Sequence, residues 1–256
     1  MPDFRIPRRL LALTLLSAPL LATTPVLAAD TVPLSRFTRS DGPVPAPWQL
    51  VRLNQNVPAT RYQLVRQDGV TGIEAVADAS MALLGRPLKA DLDATPMLCW
   101  RWRIDAPLVK ADMTRKTGDD YAARVYVALA MPAEKIGFVL RTQLKLARAL
   151  YGDSVPDAAI NYVWDNRNPV GTRRANAYTD RTQMVVVETG GTHARQWREA
   201  RRDLAADIEQ AFPDQQARPV LLSIASDTDN TGEQAHAVFA DFHLVPRGQA
   251  CAFPPA

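Results

Sequence analysis

The residues best suited to chemistry lie in the stretch from Gly118 to Val127, which reads GDDYAARVYV. Two adjacent carboxylates, Asp119 and Asp120, form an acidic turn before an alternating strand. On that strand Arg124 and Tyr126 share one face, and valines occupy the other. A guanidinium suits planar carboxylate or sulfate groups, and an aromatic ring suits stacking on sugars. The pattern therefore predicts a charged sheet face that binds a ligand, and it does not indicate a reaction.

A wider polar face forms if other strands join the same sheet. Arg101 and Arg103 alternate with tryptophans on one strand, and Asp241 lies on the last strand. Their parity would gather guanidinium, phenol and carboxylate groups on the side away from the core. The alternative is an internal ion-pair network that only stabilises the fold. The predicted ligand-binding residues are Arg101, Arg103, Asp119, Asp120, Arg124, Tyr126, Tyr162, Trp164 and Asp241.

The loop from Asp227 to Gly232 reads DTDNTG and is rich in side-chain oxygens. Short carboxylates mixed with amide and hydroxyl oxygens are typical ligands of a hard cation such as Ca²⁺. The loop is not an EF-hand, because no glutamate follows at the twelfth position. Asp and Asn also form turns by bonding their own backbone, so turn chemistry is an alternative. The predicted ligands of a structural calcium ion are Asp227, Asp229, Asn230 and Asp241.

Several familiar catalytic motifs are absent from the sequence. It contains no GxSxG elbow, Walker loop, GxGxxG fingerprint or HExxH zinc motif. The three histidines have no zinc-type spacing, which disfavours transition-metal catalysis. Glycoside hydrolysis needs only two carboxylates at a suitable separation, and Asp120, Glu188 and Asp241 are candidates. A hydrolase acting on envelope polysaccharide is therefore an alternative to a binding protein.

The elements that must position these residues are mostly strands. Short alternating runs punctuated by Gly, Asp and Pro fill the N-terminal third, and more strands follow. In the run from Met97 to Ile104, one face carries two tryptophans with Leu98 and Ile104, which predicts that this face is core. In the last strand, from His236 to Leu244, strict alternation predicts one face made of Val238, Ala240, Phe242 and Leu244.

Two segments have the periodicity of helices. An insert at residues 133–150 is predicted to be an amphipathic helix, with its apolar positions at Ile136, Val139, Leu140, Leu144, Ala147 and Leu150. Its basic face suits solvent, a membrane surface or a protein partner. A second helix is predicted from Trp197 to Phe212, and the first half of this segment also fits a strand.

The first 28 residues have the features of a signal peptide. Arg5, Arg8 and Arg9 precede the apolar run from Leu10 to Leu21, and small residues before Ala29 provide a cleavage site. The apolar run falls short of the ~20 residues that a membrane span needs. Residues 29–256 are therefore expected to form one domain, located in the periplasm or secreted, with no stable membrane span after cleavage.

The charge of the mature chain gives no support for a nucleic-acid partner. The full sequence has 30 basic and 27 acidic residues. Removing residues 1–28 takes away three arginines and one aspartate, which leaves 27 basic and 26 acidic residues and a net charge of +1. Such a balance lacks the basic footprint of a nucleic-acid-binding protein.

Both cysteines, Cys99 and Cys251, lie in the mature part of the chain. An oxidising compartment favours a disulfide between them, which would tie the C-terminal tail to the domain. Two unpaired thiols are the alternative.

The combination of several motifs resembles a known family. WRWRID at 100–105, GDDYAARVYV at 118–127, NYVW at 161–164 and DTDNTG at 227–232, with Asp112, Trp197, Arg201 and Asp207, resemble the bacterial domain of unknown function 3047. The resemblance covers nearly the whole mature chain and implies an exported bacterial protein. It brings no established activity, so no catalytic residue is carried over. The insert at 133–150 departs from the family pattern.

A looser similarity links the ends of the chain to jelly-roll carbohydrate-binding modules. The opening residues from Phe37 to Trp48 and the closing AVFADFHL are similar to the first and last strands of those modules. The similarity implies that an aspartate on the last strand, here Asp241, helps to bind a structural calcium ion. Likeness of fold is only an analogy for function.

These observations predict a mostly β fold, an antiparallel β-sandwich of the jelly-roll, galactose-binding-like type with two peripheral helices. The expected function is that of an exported periplasmic protein that binds a carbohydrate or another cell-envelope ligand. A glycoside hydrolase is one alternative. An envelope scaffold that contacts a protein partner through the 133–150 helix is another.

Overall fold

The structure is a computed structural model that describes residues 31–151 and 155–255. The predicted signal peptide at 1–28 lies outside the described residues. The helices are α1 (Phe138–Tyr151) and α2 (Leu204–Ala211). The strands are β1 (Val32–Pro33), β2 (Gln49–Val51), β3 (Arg61–Gln67), β4 (Val70–Asp78), β5 (Leu83–Pro87), β6 (Met97–Ile104), β7 (Tyr121–Ala130), β8 (Ala158–Asp165), β9 (Arg173–Ala175), β10 (Thr182–Thr189), β11 (Arg198–Asp203), β12 (Arg218–Asp227) and β13 (Gln234–Val245).

The strands form two sheets that pack face to face. The six-stranded sheet has the order β11-β6-β13-β4-β3, with β1 paired to β13. The seven-stranded sheet has the order β2-β5-β12-β7-β8-β10-β9. The chain crosses repeatedly from one sheet to the other, as in a jelly-roll sandwich. The predicted β-sandwich with two helices is confirmed, and the seven-stranded sheet is mixed because β8 and β10 run parallel.

Aromatic side chains fill the space between the sheets. Trp100 and Trp102 of β6 are fully buried, and their ring centroids lie 5.4 Å apart in an edge-to-face arrangement. Across the sandwich, Tyr162 lies 5.5 Å from Trp100, and Trp164 lies 5.7 Å from Trp102. Burying each such side chain stabilises the fold by roughly 1.5–3 kcal/mol. The predicted core face of β6 is therefore confirmed.

The predicted alternation of the last strand is wrong beyond its middle. A bulge lies between Ala240 and His243 in the pairing of β13 with β6, and Asp241 has a φ of 56°. The extra residue shifts the parity, so the core receives Phe239 before the bulge and Phe242 after it. A β-bulge inserts one residue against the partner strand, which strict alternation cannot anticipate.

The two helices differ from their predicted extents. The segment from Trp197 to Phe212 is strand β11 followed by α2, because Asp203 caps the helix by accepting from the N–H of Ala206 at 3.0 Å. Helix α1 begins only at Phe138, after a 3₁₀ turn at Ala133–Lys135.

The predicted apolar stripe of α1 is only partly buried. Leu144 is buried, whereas Val139 is 69% exposed. Phe138 and Leu146 on the same helix are also exposed. The helix thus packs along a narrower stripe than its periodicity indicates. Side chains at 147–151 lie outside the described part. Within residues 31–151 and 155–255, no helix has the length and hydropathy needed to cross a bilayer.

The chain after β13 turns back across the outer face of the six-stranded sheet. Cys251 in this tail forms a disulfide with Cys99 of β6. The ring of Phe253 lies 5.3 Å from that of His243 in an edge-to-face contact. The guanidinium of Arg201 donates to backbone carbonyls of the tail. The covalent bond and these contacts together hold the tail against the sheet.

Candidate functional site

The predicted polar face is divided between two sheets. Arg101, Arg103 and Asp241 lie on β6 and β13 of the six-stranded sheet. Arg124 and Tyr126 lie on β7 of the seven-stranded sheet. The expectation of one shared face is therefore wrong, because the chain crosses the sandwich between β6 and β7 and again between β12 and β13.

Arg124 is the centre of a buried group of charges on the outer face of the seven-stranded sheet. Its neighbours on β7, Val125 and Val127, point into the core, so alternation directs Arg124 outward. It is nevertheless only 2% exposed, because loops cover that end of the sheet. We use the name arginine–carboxylate cluster for Arg124 with Asp119, Asp120, Asp227 and Asp229.

Two carboxylates contact the guanidinium directly. The Nη2 atom of Arg124 donates to Asp119 Oδ1 at 2.9 Å, and the Nε atom of Arg124 lies 3.1 Å from Asp227 Oδ1. Nη1 donates to the phenol oxygen of Tyr126. The ring of Tyr121 lies 4.5 Å from the guanidinium carbon. Asp119, Arg124 and Tyr126, predicted as one group from their spacing, are thus in contact.

Asp120 holds the DTDNTG loop in place. Its Oδ2 accepts from the backbone N–H groups of Asn230 at 3.0 Å and Thr231 at 2.6 Å, and its Oδ1 accepts from the Asn230 side chain at 3.0 Å. Backbone N–H groups that would otherwise lack partners are thereby satisfied. Asp120 therefore connects the acidic turn before β7 to the loop after β12.

A second loop closes the cluster from outside. The side-chain amide of Asn176 donates to Asp119 Oδ2 at 2.7 Å. The hydroxyl of Tyr178 donates to Asn230 Oδ1 at 2.8 Å, and the ammonium of Lys116 lies 5.3 Å from the Tyr178 ring centroid. Tyr178 is 54% exposed, so an aromatic ring stands at the mouth of the cluster.

The electrostatics of the cluster are unbalanced. Burial raises the pKa of Asp227 well above its ordinary value, and the charges of Asp120 and Asp119 raise it further although Arg124 opposes them. Burial, with Asp120, also raises the pKa of Asp229. For Arg124, burial disfavours the charge, but Asp119 and Asp227 more than offset it and raise its pKa. The cluster thus contains four carboxylates and a single guanidinium, which contacts two of them.

The cluster fits a hard cation better than the predicted ligand set does. Carboxylate oxygens of Asp120, Asp227 and Asp229 all lie within 4.8 Å of one another. Oδ1 of Asp229 and Oγ1 of Thr231, which is 9% exposed, are buried and have no hydrogen-bond partner among the described residues. Oxygen ligands in close proximity are what Ca²⁺ requires.

One of the four predicted calcium ligands does not fit this arrangement. Asn230 lies beside the cluster, where its amide nitrogen donates to Asp120 and its Oδ1 accepts from Tyr178. Asp241 lies on the other sheet, where it accepts from Arg101 Nε at 2.6 Å. The sequence analysis placed Asp120 among the ligand-binding residues but not among the calcium ligands, because its partners lie about 110 positions further along the chain.

The candidate hydrolase carboxylates do not converge. Asp120 is fully buried and engaged in three hydrogen bonds. Glu188 binds Arg198 at 2.8 Å at the end of β10, and Asp241 binds Arg101 on the opposite sheet. General acid catalysis needs a carboxyl group within hydrogen-bond reach of substrate. Each of the three candidates therefore has a separate set of partners.

Arg101 and Arg103 occupy separate positions on the six-stranded sheet. The Arg101 guanidinium carbon lies 6.0 Å from the Trp197 ring centroid and 5.5 Å from that of Phe253. Arg103 lies 3.4 Å from Asp68 in the turn between β3 and β4. These contacts cover both arginines, so their sheet face is packed beneath rings and loops.

Tyr162 and Trp164 do not line a surface, contrary to prediction. Both are buried between the sheets, because their parity on β8 directs them inward. The Tyr162 hydroxyl donates to Asp207 Oδ2 at 2.8 Å. Asp207 also binds Arg202 at 2.7 Å and Arg173, and these hydrogen bonds lower its pKa although its burial opposes them. This buried network joins α2 to three strands.

Asn161 is a polar residue that sequence reasoning passed over. It lies on β8 beside Tyr126 in the pairing with β7 and beside Met184 in the pairing with β10. It is fully buried, and neither polar atom of its side chain has a hydrogen-bond partner among the described residues. Its place in NYVW gave no signal, since the motif reads as a core strand.

The chain matches a family model over most of its length. The model described as "Protein of unknown function (DUF3047)" matches residues 46–243. The chain belongs to this family. The match to DUF3047 spans both sheets and the whole arginine–carboxylate cluster. No curated protein matches the chain.

Several solved structures resemble this DUF3047 chain in outline. A family 12 glycoside hydrolase has 9% identity and a TM-score of 0.39, with 78% of this chain and 99% of that chain covered. The family 30 carbohydrate-binding module of the Clostridium thermocellum cellulase Cel9D-Cel44B has 9% identity and a TM-score of 0.35, with 86% and 92% covered. The xyloglucanase domain of NopAA from Sinorhizobium fredii has 7% identity and a TM-score of 0.38, with 79% and 97% covered.

Proposed function

We propose that this DUF3047 protein is a non-catalytic binding protein of the cell envelope that takes a carbohydrate at the mouth of the arginine–carboxylate cluster, with Ca²⁺ held in the cluster. The observation that carries the proposal is the excess of carboxylates, three of them buried, over the single guanidinium of the cluster, beside an exposed aromatic ring.

The excess charge follows from counting the charged groups of the cluster. Asp119, Asp120, Asp227 and Asp229 bring four carboxylates, and Arg124 brings one compensating charge. Carboxylates this close ionise together only with a cation between them, and otherwise one or more retains a proton. A divalent cation among the three carboxylates of Asp120, Asp227 and Asp229 would balance the charge. The chemistry it would supply is oxygen coordination, which also suits the hydroxyls of a sugar.

The sugar-binding surface would be the rim of the cluster. Tyr178 offers an aromatic face fixed by its hydrogen bond to Asn230, and Asp229 is partly exposed beside it. An aromatic ring with a polar tip provides apolar contact area together with a hydrogen-bonding group. Lys116, next to the ring, provides a positive charge for an acidic sugar or a phosphate substituent.

The proposal includes export to the periplasm. The features that support it are the signal-like first 28 residues and the disulfide between Cys99 and Cys251, since disulfides persist in oxidising compartments. Fractionation of cells that express the full chain tests it. We expect a shortened form in the periplasmic or secreted fraction, and an uncleaved cytoplasmic form would contradict this part.

A glycan-array screen with Ca²⁺ and with a chelator tests the binding function. We expect binding to an envelope-type glycan that is lost with the chelator and in Tyr178→Ala. Asp229→Asn should weaken both Ca²⁺ binding and glycan binding. Phe138→Ala is the matched control, because Phe138 is an exposed ring on α1, which follows the end of β7 opposite to the end that carries Asp119 and Asp120. Equal glycan binding by Tyr178→Ala and wild type would refute the proposed surface.

A further inference from the structure

The three residues Cys99, His243 and Cys251 form a compact group on the other side of the sandwich. One ligand-type atom from each lies within 4.8 Å of the other two. His243 stands directly opposite Cys99 in the pairing of β13 with β6. The bulge at Asp241 produces this placement, because strict alternation along β13 would not bring the two together.

The hydrogen bonds of His243 define its tautomer. Its Nδ1 lies 2.6 Å from the backbone carbonyl oxygen of Asp241, which can only accept, so Nδ1 carries the proton. Its Nε2 accepts from the N–H of Ala252 at 3.0 Å, so Nε2 presents its lone pair toward the residue after Cys251. A histidine fixed through Nδ1 to a carbonyl oxygen is oriented as metal-binding histidines are.

The disulfide is accessible from one side. Cys99 is fully buried, whereas Cys251 is partly exposed and borders an open cavity of about 640 Å³. That cavity lies between β11 and the tail, and Arg201, Gln249 and Phe253 are among the residues that line it. A reductant and then a metal ion can therefore approach the group through this cavity.

We propose that reduction of the Cys99–Cys251 disulfide, which frees the tail, creates a site for Zn²⁺ or a similar thiophilic ion, with both thiolates and His243 Nε2 as ligands once Nε2 gives up its hydrogen bond from the Ala252 N–H. A dithiol supplies two electrons and two protons, is itself oxidised to a disulfide, and leaves two protein thiols. Binding of the ion then releases the two thiol protons. Two sulfurs and one imidazole make a Cys₂His set that leaves a fourth position open.

The site is independent of the arginine–carboxylate cluster. It lies on the six-stranded sheet, and its ligands are sulfur and nitrogen, whereas the cluster provides only oxygen. Sulfur ligands select thiophilic ions such as Zn²⁺ and Cu⁺, and carboxylates select Ca²⁺. A metal bound at one site is therefore distinguishable by its spectrum from a metal bound at the other.

Titration of the full chain with Co²⁺ under anaerobic conditions tests the proposal. After reduction with a dithiol and removal of the reagent, we expect one equivalent of Co²⁺ to give thiolate-to-metal charge-transfer absorption, which Zn²⁺ then abolishes. The oxidised protein should show no such absorption. His243→Ala should weaken Co²⁺ binding by at least about tenfold.

The matched control is His236→Ala, on the same strand. His236 contacts Glu74 and Asp105 and lies away from the cysteines, so this variant should bind as wild type does. Absence of charge-transfer absorption in reduced protein would overturn the proposal. Equal Co²⁺ affinity in the His243 and His236 variants would also overturn it. That result would be obtained if reduction unfolded the chain, because thiols of an unfolded chain bind Co²⁺ whether or not His243 is present.

Discussion

Replacing Arg124 with methionine tests the central role given to this guanidinium. Methionine approximates the length of the arginine stem but leaves Asp119 and Asp227 without their cation. Removing one partner of a buried ion pair destabilises a protein by about 3–5 kcal/mol. For a domain of this size, about 2–4 °C of melting temperature corresponds to 1 kcal/mol, so we expect a decrease of roughly 6–20 °C.

The matched control is Arg198→Met. Arg198 binds Glu188 at 2.8 Å, but its side chain is 40% exposed. A partly exposed pair of this kind contributes about 1 kcal/mol or less. Both variants remove a strand arginine that pairs with carboxylates, and they differ in burial and in the number of carboxylates, two for Arg124 and one for Arg198.

Melting followed by circular dichroism, at pH 7 and at a pH near 5, distinguishes electrostatics from packing. Without Arg124, the cluster carboxylates retain protons more readily, so the loss of stability should shrink at the lower pH. Added Ca²⁺ should also restore part of the stability at pH 7. A loss no greater than that of Arg198→Met, or one that does not change with pH, would refute the assignment of Arg124 as the cation that holds the cluster together.

Three further outcomes are expected. Reduction of the Cys99–Cys251 disulfide, which closes a separation of 152 residues, should lower the free energy of unfolding by up to about 5 kcal/mol, and an unchanged melting temperature with reductant would argue against this. Tyr162→Phe should cost about 1–3 kcal/mol in urea unfolding, because Asp207 loses a buried donor. The native pKa of Asp227 is raised above the usual 3.8, so its protonated form stabilises the fold at low pH and that contribution is lost as pH rises through the native pKa. The stability of wild type relative to Asp227→Asn, measured without Ca²⁺, should therefore fall as pH rises above about 4, and a constant difference would contradict the raised pKa.

Local alternation was sufficient to predict the core face of β6 and part of the site. The face of β6 that carries Trp100 and Trp102 followed from period-two spacing. The contact of Arg124 with Asp119 also followed, because the two lie five positions apart around one strand end. Such features depend on neighbours in sequence, and a single strand determines them.

Sheet membership and irregular backbone could not be predicted in the same way. The residues of β6 and β7 carry no local signal that the chain crosses the sandwich between these strands. The sequence therefore predicts Arg101 and Arg124 on one face. Likewise, the partners of Asp120 are about 110 residues away in sequence, and the bulge at Asp241 changes the parity of the residues after it. These features depend on long-range packing, which one sequence does not encode in a local pattern.

The tryptophans between the sheets give the protein an optical reporter of its own. Trp100 and Trp102 belong to one sheet, their rings are at 89° and 5.4 Å, and Trp164 of the other sheet lies 5.7 Å from Trp102. Coupled indoles at such short range should produce strong near-ultraviolet dichroism whose intensity depends on how the sheets are aligned. Sliding of one sheet over the other would alter the near-ultraviolet dichroism. Binding of a ligand or metal ion on either outer face would leave the dichroism unchanged if the sheets did not slide.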